Sequence, residues 1–175
     1  MNRNLAHIVN GILLLILFGG SILVFSSLPD QIPVHMELDG TVDRWADRSW
    51  LEWLSLPLVA LGVTALMYIS GLFIGRVPPH LVNIPSREKF VDLSPERRAM
   101  VMDLIRTSLY WVNVATLVIF LLVHIGMYQA AFGRPSTGYT IAALVISFGI
   151  IPFISLTMIV KVDAKVKSTR PPLVQ

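Results

Sequence analysis

The chain has 175 residues, of which 54% are hydrophobic and only 14% are charged, and its formal net charge is +3. Its mean hydropathy of +0.69 and its small charged share exclude an ordinary water-soluble domain. The sequence has no cysteine, which excludes disulfides, lipoprotein attachment and thiolate metal sites. We therefore expect a protein embedded in a lipid bilayer.

Four apolar stretches are long enough to cross a hydrocarbon core about 30 Å thick, which takes roughly 20 helical residues. They span approximately 5–28, 53–75, 108–131 and 139–160. The first is longer than the roughly 7 to 15 apolar residues of a cleavable signal, so we expect it to remain as a helix. The predicted fold class is an all-α membrane protein, with residues 1–175 forming a single integral membrane domain. Gly149 and Pro152 predict a kink in the last span.

Lysine and arginine are unequally distributed between the two sides that these spans define. One side has Arg3, Arg76, Arg87, Lys89, Arg97, Arg98, Arg106, Lys161, Lys165, Lys167 and Arg170. The other side has Arg44, Arg48 and Arg134. Because cytoplasmic segments are enriched in these residues, we expect both termini in the cytoplasm and the protein in the inner (plasma) membrane. Contact with anionic lipid explains the remaining positive charge, and no nucleic-acid-binding motif accompanies it.

The segment 29–52 lies outside the membrane in this topology. Its side chains alternate with the period of two that a half-buried strand shows, with Val34, Met36 and Leu38 on one face and His35, Glu37 and Asp39 on the other. Asp39-Gly40 is typical of a two-residue type I′ hairpin turn. We therefore predict a small β-hairpin whose apolar face lies on the bilayer surface or on helix ends. An aromatic belt at the start of the second span would comprise Trp45, Trp50 and Trp53.

The polar face of this hairpin has three interpretations. The first is a cation site, since the spacing from His35 resembles part of an EF-hand loop. That loop needs a bidentate carboxylate at its twelfth position, where this chain has Ala46, so we expect no metal and no other cofactor. The second is a solvated hairpin in which Asp43 and Asp47 pair with Arg44 and Arg48. The third is a surface that recognises an extracellular peptide or protein.

The string LPDQIPVHMELDGTVD, residues 28–43, resembles the signature of the DUF1648 membrane domain family. The matching positions are Leu28, Pro29, Ile32, Pro33, His35, Gly40 and Asp43. Members commonly have an aromatic residue and an asparagine after the histidine, where this chain has Met36 and Glu37. Relatives of the family resemble the immunity protein of the sporulation-delay toxin system, a larger membrane protein that protects cells from a toxic peptide and sequesters a repressor. The resemblance implies a multi-pass fold and makes Pro29, Pro33, His35, Gly40 and Asp43 candidate recognition residues.

The segment 76–107 is the longest between two spans. Ser94-Pro95 predicts a helix start there, with serine at the N-cap and proline at the first helical position. The basic helix that follows would lie along the inner leaflet before turning into the third span. Membrane lipids and a soluble cytoplasmic regulator are both suitable partners for its arginines.

The spans themselves contain few polar side chains, and Asn10, Asn113 and His124 are the ones that we single out. They fit either hydrogen bonding between helices or a polar path.

No set of catalytic residues is visible: the chain has no nucleophile elbow and no HExxH motif. His35 and His80 fall on opposite sides of the predicted membrane and cannot share a metal. We therefore expect a non-enzymatic multi-pass membrane protein, with peptide-toxin immunity or envelope sensing through the outer segment as the first hypothesis. The alternative is a small transporter or an accessory subunit of a membrane complex. The sequence leaves the oligomeric state open.

Overall fold

The computed structural model describes residues 2–168, so Arg170, which contributed to the charge count, lies outside the described residues. The main elements are α1 Arg3–Val24, β1 Gln31–Met36, β2 Val42–Asp47, α2 Trp50–Ile74, α3 Arg87–Val91, α4 Pro95–Ala131, α5 Thr137–Val145 and α6 Ile151–Lys167. Short 3₁₀ turns occupy Phe25–Ser27 and Pro79–Leu81, and a π-helical turn occupies Ile146–Ile150.

Four helical segments are long and apolar enough to cross a membrane: Arg3–Ser27, Trp50–Ile74, Pro95–Ala131 and Thr137–Lys167. This confirms the prediction of a mostly helical protein with four spans and a small two-stranded hairpin after the first. The fourth span combines α5, the π turn and α6. The π turn includes Gly149 and ends two residues before Pro152, the two residues at which the sequence predicts a kink. Proline cannot donate the backbone hydrogen bond that a regular helix requires.

The third span differs from its predicted form. The helix does begin after Ser94, with Pro95 in its first turn, but α4 then continues for 37 residues, a length of about 55 Å. The prediction of a helix that lies along the leaflet and turns near residue 108 is wrong. Residues 96–125 contain no glycine or proline, and nothing else interrupts the helical hydrogen bonding there. The charged first turns are therefore collinear with the span and extend beyond the apolar layer.

Helix α4 is the central element, and α1, α2, α5, α6 and β1 all pack against it. The other spans turn large apolar side chains outward; Leu15, Leu23 and Phe148 are each more than 70% exposed. In water such a surface would be unstable, whereas in a bilayer it meets lipid tails of similar polarity.

The helices contact one another in three buried clusters along the length of the helix bundle. One lies at the hairpin end and contains Leu28, Ile32, Trp53 and Met127. A middle cluster contains Leu17, Ala60 and Leu117. The third, at the opposite end, contains Val82, Phe90, Val101, Met102, Val162 and Val166.

A small residue on α2 makes room for a side chain of α4. A Cβ placed on Gly71 would lie 2.5 Å from the Tyr110 hydroxyl and 2.9 Å from its ring. Gly62, on the same helix, has no such neighbour within 4 Å. The position of the buried Tyr110 ring against α2 therefore depends on Gly71.

Candidate functional site

The hairpin is held against the helices at its tip. Gly40 is buried, and its carbonyl oxygen accepts a 2.7 Å hydrogen bond from the hydroxyl of Ser136, in the turn between α4 and α5. A Cβ on Gly40 would lie 2.7 Å from the Cα of Thr137. The signature glycine is therefore required both by its positive φ of 86° and by this contact.

The turn itself differs from the predicted type I′. Type I′ needs positive φ at both central residues, whereas Ser86 is the one non-glycine residue with positive φ among residues 2–168. Instead the Gly40 amide donates to the Glu37 carbonyl, and the Glu37 amide donates to the Thr41 carbonyl, which makes a three-residue loop that ends in a left-handed glycine. The carboxylate of Asp39 accepts from both the amide and the hydroxyl of Thr41, which lowers the pKa of Asp39.

The inward face of the hairpin forms part of the core. Leu28 is 3% exposed, and Ile32 and Pro33 are almost completely buried. Val34 and Met36 pack against the same cluster, as predicted for an apolar face that lies on helix ends. A Cβ on Gly126 of α4 would be 3.5 Å from the Met36 Cε, so the methionine covers that glycine.

Leu38 and Trp53 lie in environments that differ from those predicted for them. Leu38 is 73% exposed, because it belongs to the loop and not to the strand. Trp53 is 2% exposed, and its indole N–H donates to the Ser21 carbonyl at 3.0 Å. The belt prediction is therefore wrong for Trp53, whose helix turns it toward α1 and α4. Trp45 and Trp50 remain about half exposed.

The outward face carries one pair of signature residues, His35 and Asp43. The Nδ1 of His35 lies 2.6 Å from a carboxylate oxygen of Asp43, and their side chains are 52% and 40% exposed. Because a carboxylate only accepts, the imidazole donates this bond, and it lowers the pKa of Asp43. The strand register shifts on both sides of His35, so the pairing of the two strands is irregular where this residue lies.

The other ion pairs of the hairpin correct the predicted pairing of Asp43 and Asp47 with Arg44 and Arg48. Asp43 binds His35, and Asp47 accepts from the amide of Gln31 on β1. Arg48 instead donates to the Leu28 carbonyl at 2.6 Å and lies 3.6 Å from Asp30. Side chains on facing strands thus pair in preference to sequence neighbours, because adjacent residues of a strand point to opposite faces.

Within the spans, Asn10 and Asn113 are brought together as buried neighbours. The Asn113 amide donates to the Asn10 oxygen at 3.0 Å, and Asn10 donates to the Tyr110 carbonyl at 3.1 Å. Thr64 of α2 lies 3.3 Å from Asn113. The network therefore links α1, α2 and α4 by hydrogen bonds, one of the two roles that the sequence left open for these residues.

His124 forms a separate buried site under the hairpin. Its Nε2 lies 2.8 Å from the Ser21 hydroxyl, and its ring is 4.2 Å from that of Trp53. The Ser21 hydroxyl donates to the Leu17 carbonyl, so the imidazole donates to Ser21 through Nε2. Its Nδ1 is a buried acceptor without a hydrogen-bond partner among residues 2–168.

Among residues 2–168, no hydrogen bond joins the two intramembrane sites. Asn113 and His124 are about 16 Å apart along α4 at the rise of an α-helix. Between them lie Leu17, Ala60 and Leu117, each at most 1% exposed. An apolar layer thus separates Asn113 from His124.

At the opposite end, polar contacts that the sequence pattern does not reveal fix the chain. Arg3 pairs with Asp103 at 2.5 Å, and the Nε of Arg106 donates to the Gly71 carbonyl at 2.7 Å. The hydroxyl of Ser86 donates to Asp163 at 2.7 Å. Partners 35 to 100 residues apart leave no local signal that would have identified them.

Across residues 2–168, no group of three His, Asp or Glu side chains is arranged to hold a metal ion. The His35 and Asp43 pair thus has no third ligand within that range, and the carboxylate of Asp39 is already bound to Thr41.

The fold and the hairpin together define a multi-pass α-helical membrane protein with a short strand pair between its first two spans. Residues 12–61 match the model of the family described as Domain of unknown function, DUF1648, which confirms the resemblance of this segment to that domain. The match covers most of α1, the whole hairpin and the first part of α2. Searches of curated proteins and of solved structures returned no match.

Proposed function

We propose that this chain is a non-enzymatic inner (plasma) membrane protein whose outer hairpin recognises an extracellular peptide, in toxin immunity or envelope sensing. The supporting observation concerns which signature residues are needed for packing. Leu28, Ile32, Pro33 and Gly40 are buried, and their role in the fold is evident. His35 and Asp43 are exposed, and core packing does not require them.

The pair also contributes little to stability, because both side chains are exposed and water screens ion pairs at the protein surface. It is nevertheless held in a defined position. The tip is fixed by Ser136 and β1 packs on α4, so the exposed face of the hairpin is presented on a rigid base. A preorganised surface loses less conformational entropy when it binds a peptide.

The excess of lysine and arginine at the end opposite the hairpin supports an orientation with both termini in the cytoplasm. The hairpin then faces outward, where a secreted peptide arrives. The apolar layer at Leu17, Ala60 and Leu117 favours this function over the alternative of a transporter. A role as an accessory subunit would use the same outer surface with a protein partner.

The test compares cells that express the protein with cells that lack it, across a panel of secreted antimicrobial peptides. Expression should protect against at least one peptide, and His35→Ala or Asp43→Asn should abolish protection at unchanged membrane levels. Asp47→Asn is the matched control, because it removes another exposed carboxylate of the same hairpin that lies outside the signature. Equal survival with and without the protein would refute immunity. Full protection by His35→Ala and Asp43→Asn would show that the exposed pair does not recognise the peptide.

A further inference from the structure

A cavity of about 460 Å³ opens at the end of the molecule opposite the hairpin. It lies between the end of α2, the segment that follows, and the first turns of α4. Its apolar lining includes Val77, Phe90 and Met102. Helix α4 forms one wall, which carries the charged residues Arg98, Asp103 and Arg106 beside Met102. The cavity is therefore amphipathic, with its charged residues along α4.

The charges on this wall sum to an excess of one positive charge. Arg106 is already bound to the Gly71 carbonyl, and Asp103 is shared with Arg3 at 2.5 Å. Within the described part of the chain, the guanidinium of Arg98 makes no hydrogen bond or ion pair. Pro95, at the N-terminus of the long helix α4, also lines the cavity, and helix N-termini favour anions. The wall thus suits a group with negative charge.

The position of the cavity relates it to the membrane surface. The apolar span of α2 ends at Ile74, and the cavity begins at Gly75. Immediately before it, Leu72 and Phe73 are 65% and 54% exposed, as expected for apolar side chains that face lipid. An amphipathic molecule that lies in the leaflet can therefore place its polar part in the cavity without leaving the membrane.

We propose that this cavity binds the headgroup of an anionic phospholipid. Arg98 and Arg106 would contact the phosphate, and Val77, Phe90 and Met102 would pack against the glycerol and the first methylenes. Basic pockets beside membrane helices bind such headgroups. Here the apolar lining residues favour a lipid over free phosphate, because phosphate has no apolar part to pack against them. General attraction to an anionic leaflet would involve Arg97 and Arg98 alike, whereas binding in the cavity involves Arg98, which lines it, and not Arg97. It does not depend on the function proposed for the hairpin.

The experiment uses the purified full-length protein in a neutral detergent. Phosphatidylglycerol is titrated, binding is counted by native mass spectrometry, and the shift in unfolding temperature is measured in parallel. Phosphatidylcholine and inorganic phosphate are the comparison probes. We expect phosphatidylglycerol to bind in preference to phosphatidylcholine, and millimolar phosphate not to compete with it.

The Arg98→Gln variant should bind phosphatidylglycerol roughly fivefold more weakly, the effect of removing one arginine charge near a headgroup. Arg97→Gln is the matched control, since it makes the same charge change one residue away on a side chain that does not line the cavity, and it should bind as the wild type does. Arg98→Lys keeps the charge and should lose less affinity than Arg98→Gln. Equal losses in Arg97→Gln and Arg98→Gln would indicate diffuse attraction and overturn the proposal. Equal binding of the two lipids, or displacement by phosphate, would also overturn it.

Discussion

The contact between the hairpin tip and the helices makes a sharp prediction for Gly40→Ala. The backbone there has φ of 86°, which costs an L-residue about 1–2 kcal/mol. The added Cβ would also lie 2.7 Å from the Cα and 2.9 Å from the nitrogen of Thr137. These are backbone atoms of α5 that cannot rotate away, so the tip must move and lose the hydrogen bond from Ser136. That bond contributes about 1 kcal/mol.

The expected total is a loss of about 2–3 kcal/mol in the free energy that keeps the tip closed. Hydrogen exchange of the Glu37 and Gly40 amides in nanodiscs measures it, because both amides are bonded within the loop and are protected only while it is formed.

The matched control is Gly133→Ala. Gly133 also has positive φ, 67°, but a Cβ there has no such neighbour within 4 Å. It should show only the backbone cost of about 1–2 kcal/mol, measured in its own turn. A loss in Gly40→Ala that does not exceed the loss in Gly133→Ala would refute the argument that the tip is sterically docked.

Three further predictions concern the helices and the exposed pair. Gly71→Ala should lower helix-packing stability by about 1–3 kcal/mol through overpacking, while Gly62→Ala should not; equal unfolding midpoints in micelles would contradict this. Asn113→Ala should cost about 1 kcal/mol, and an unchanged midpoint would show that the amide network is not stabilising. The hydrogen bond from His35 lowers the pKa of Asp43 below its ordinary value of 3.8. The stabilisation that this bond gives to the folded hairpin is therefore fully present above pH 3.8 and is lost as the pH falls through the lowered pKa. An NMR titration of His35→Ala should show the Asp43 pKa rising toward 3.8, and no rise would refute the pairing.

The sequence is sufficient to predict the parts of this fold that depend on local composition. The length of an apolar run determines whether a helix can cross a bilayer, so four spans could be identified. The alternation from Val34 to Asp39 predicts a strand with one inward face, and the signature correctly points to a structured segment. Ser94-Pro95 marks the start of a helix, because its effect is confined to the first turn.

The remaining features depend on contacts between distant residues. The turn at Gly40 follows a loop geometry that includes a hydrogen bond from Ser136, 96 residues away. Trp53 was assigned to the membrane interface because tryptophan is common there, and only its contacts with Ser21 and His124 show that it belongs to the core. The cavity near Arg98 is formed by residues from three parts of the chain, and no single segment contains its pattern.

Both proposed sites are attached to the same helix, and this limits how they can influence each other. The hairpin packs on the far end of α4 near Gly126, and the cavity lies along its first turns near Arg98. Between them the helix has no glycine or proline, the residues at which helices usually bend. Along α4, a peptide bound at the hairpin can therefore affect the cavity by tilting or shifting the helix as a whole. Such a movement would strain the hydrogen bond between Arg106 and Gly71, which makes that bond the place where coupling between the two ends would be detected.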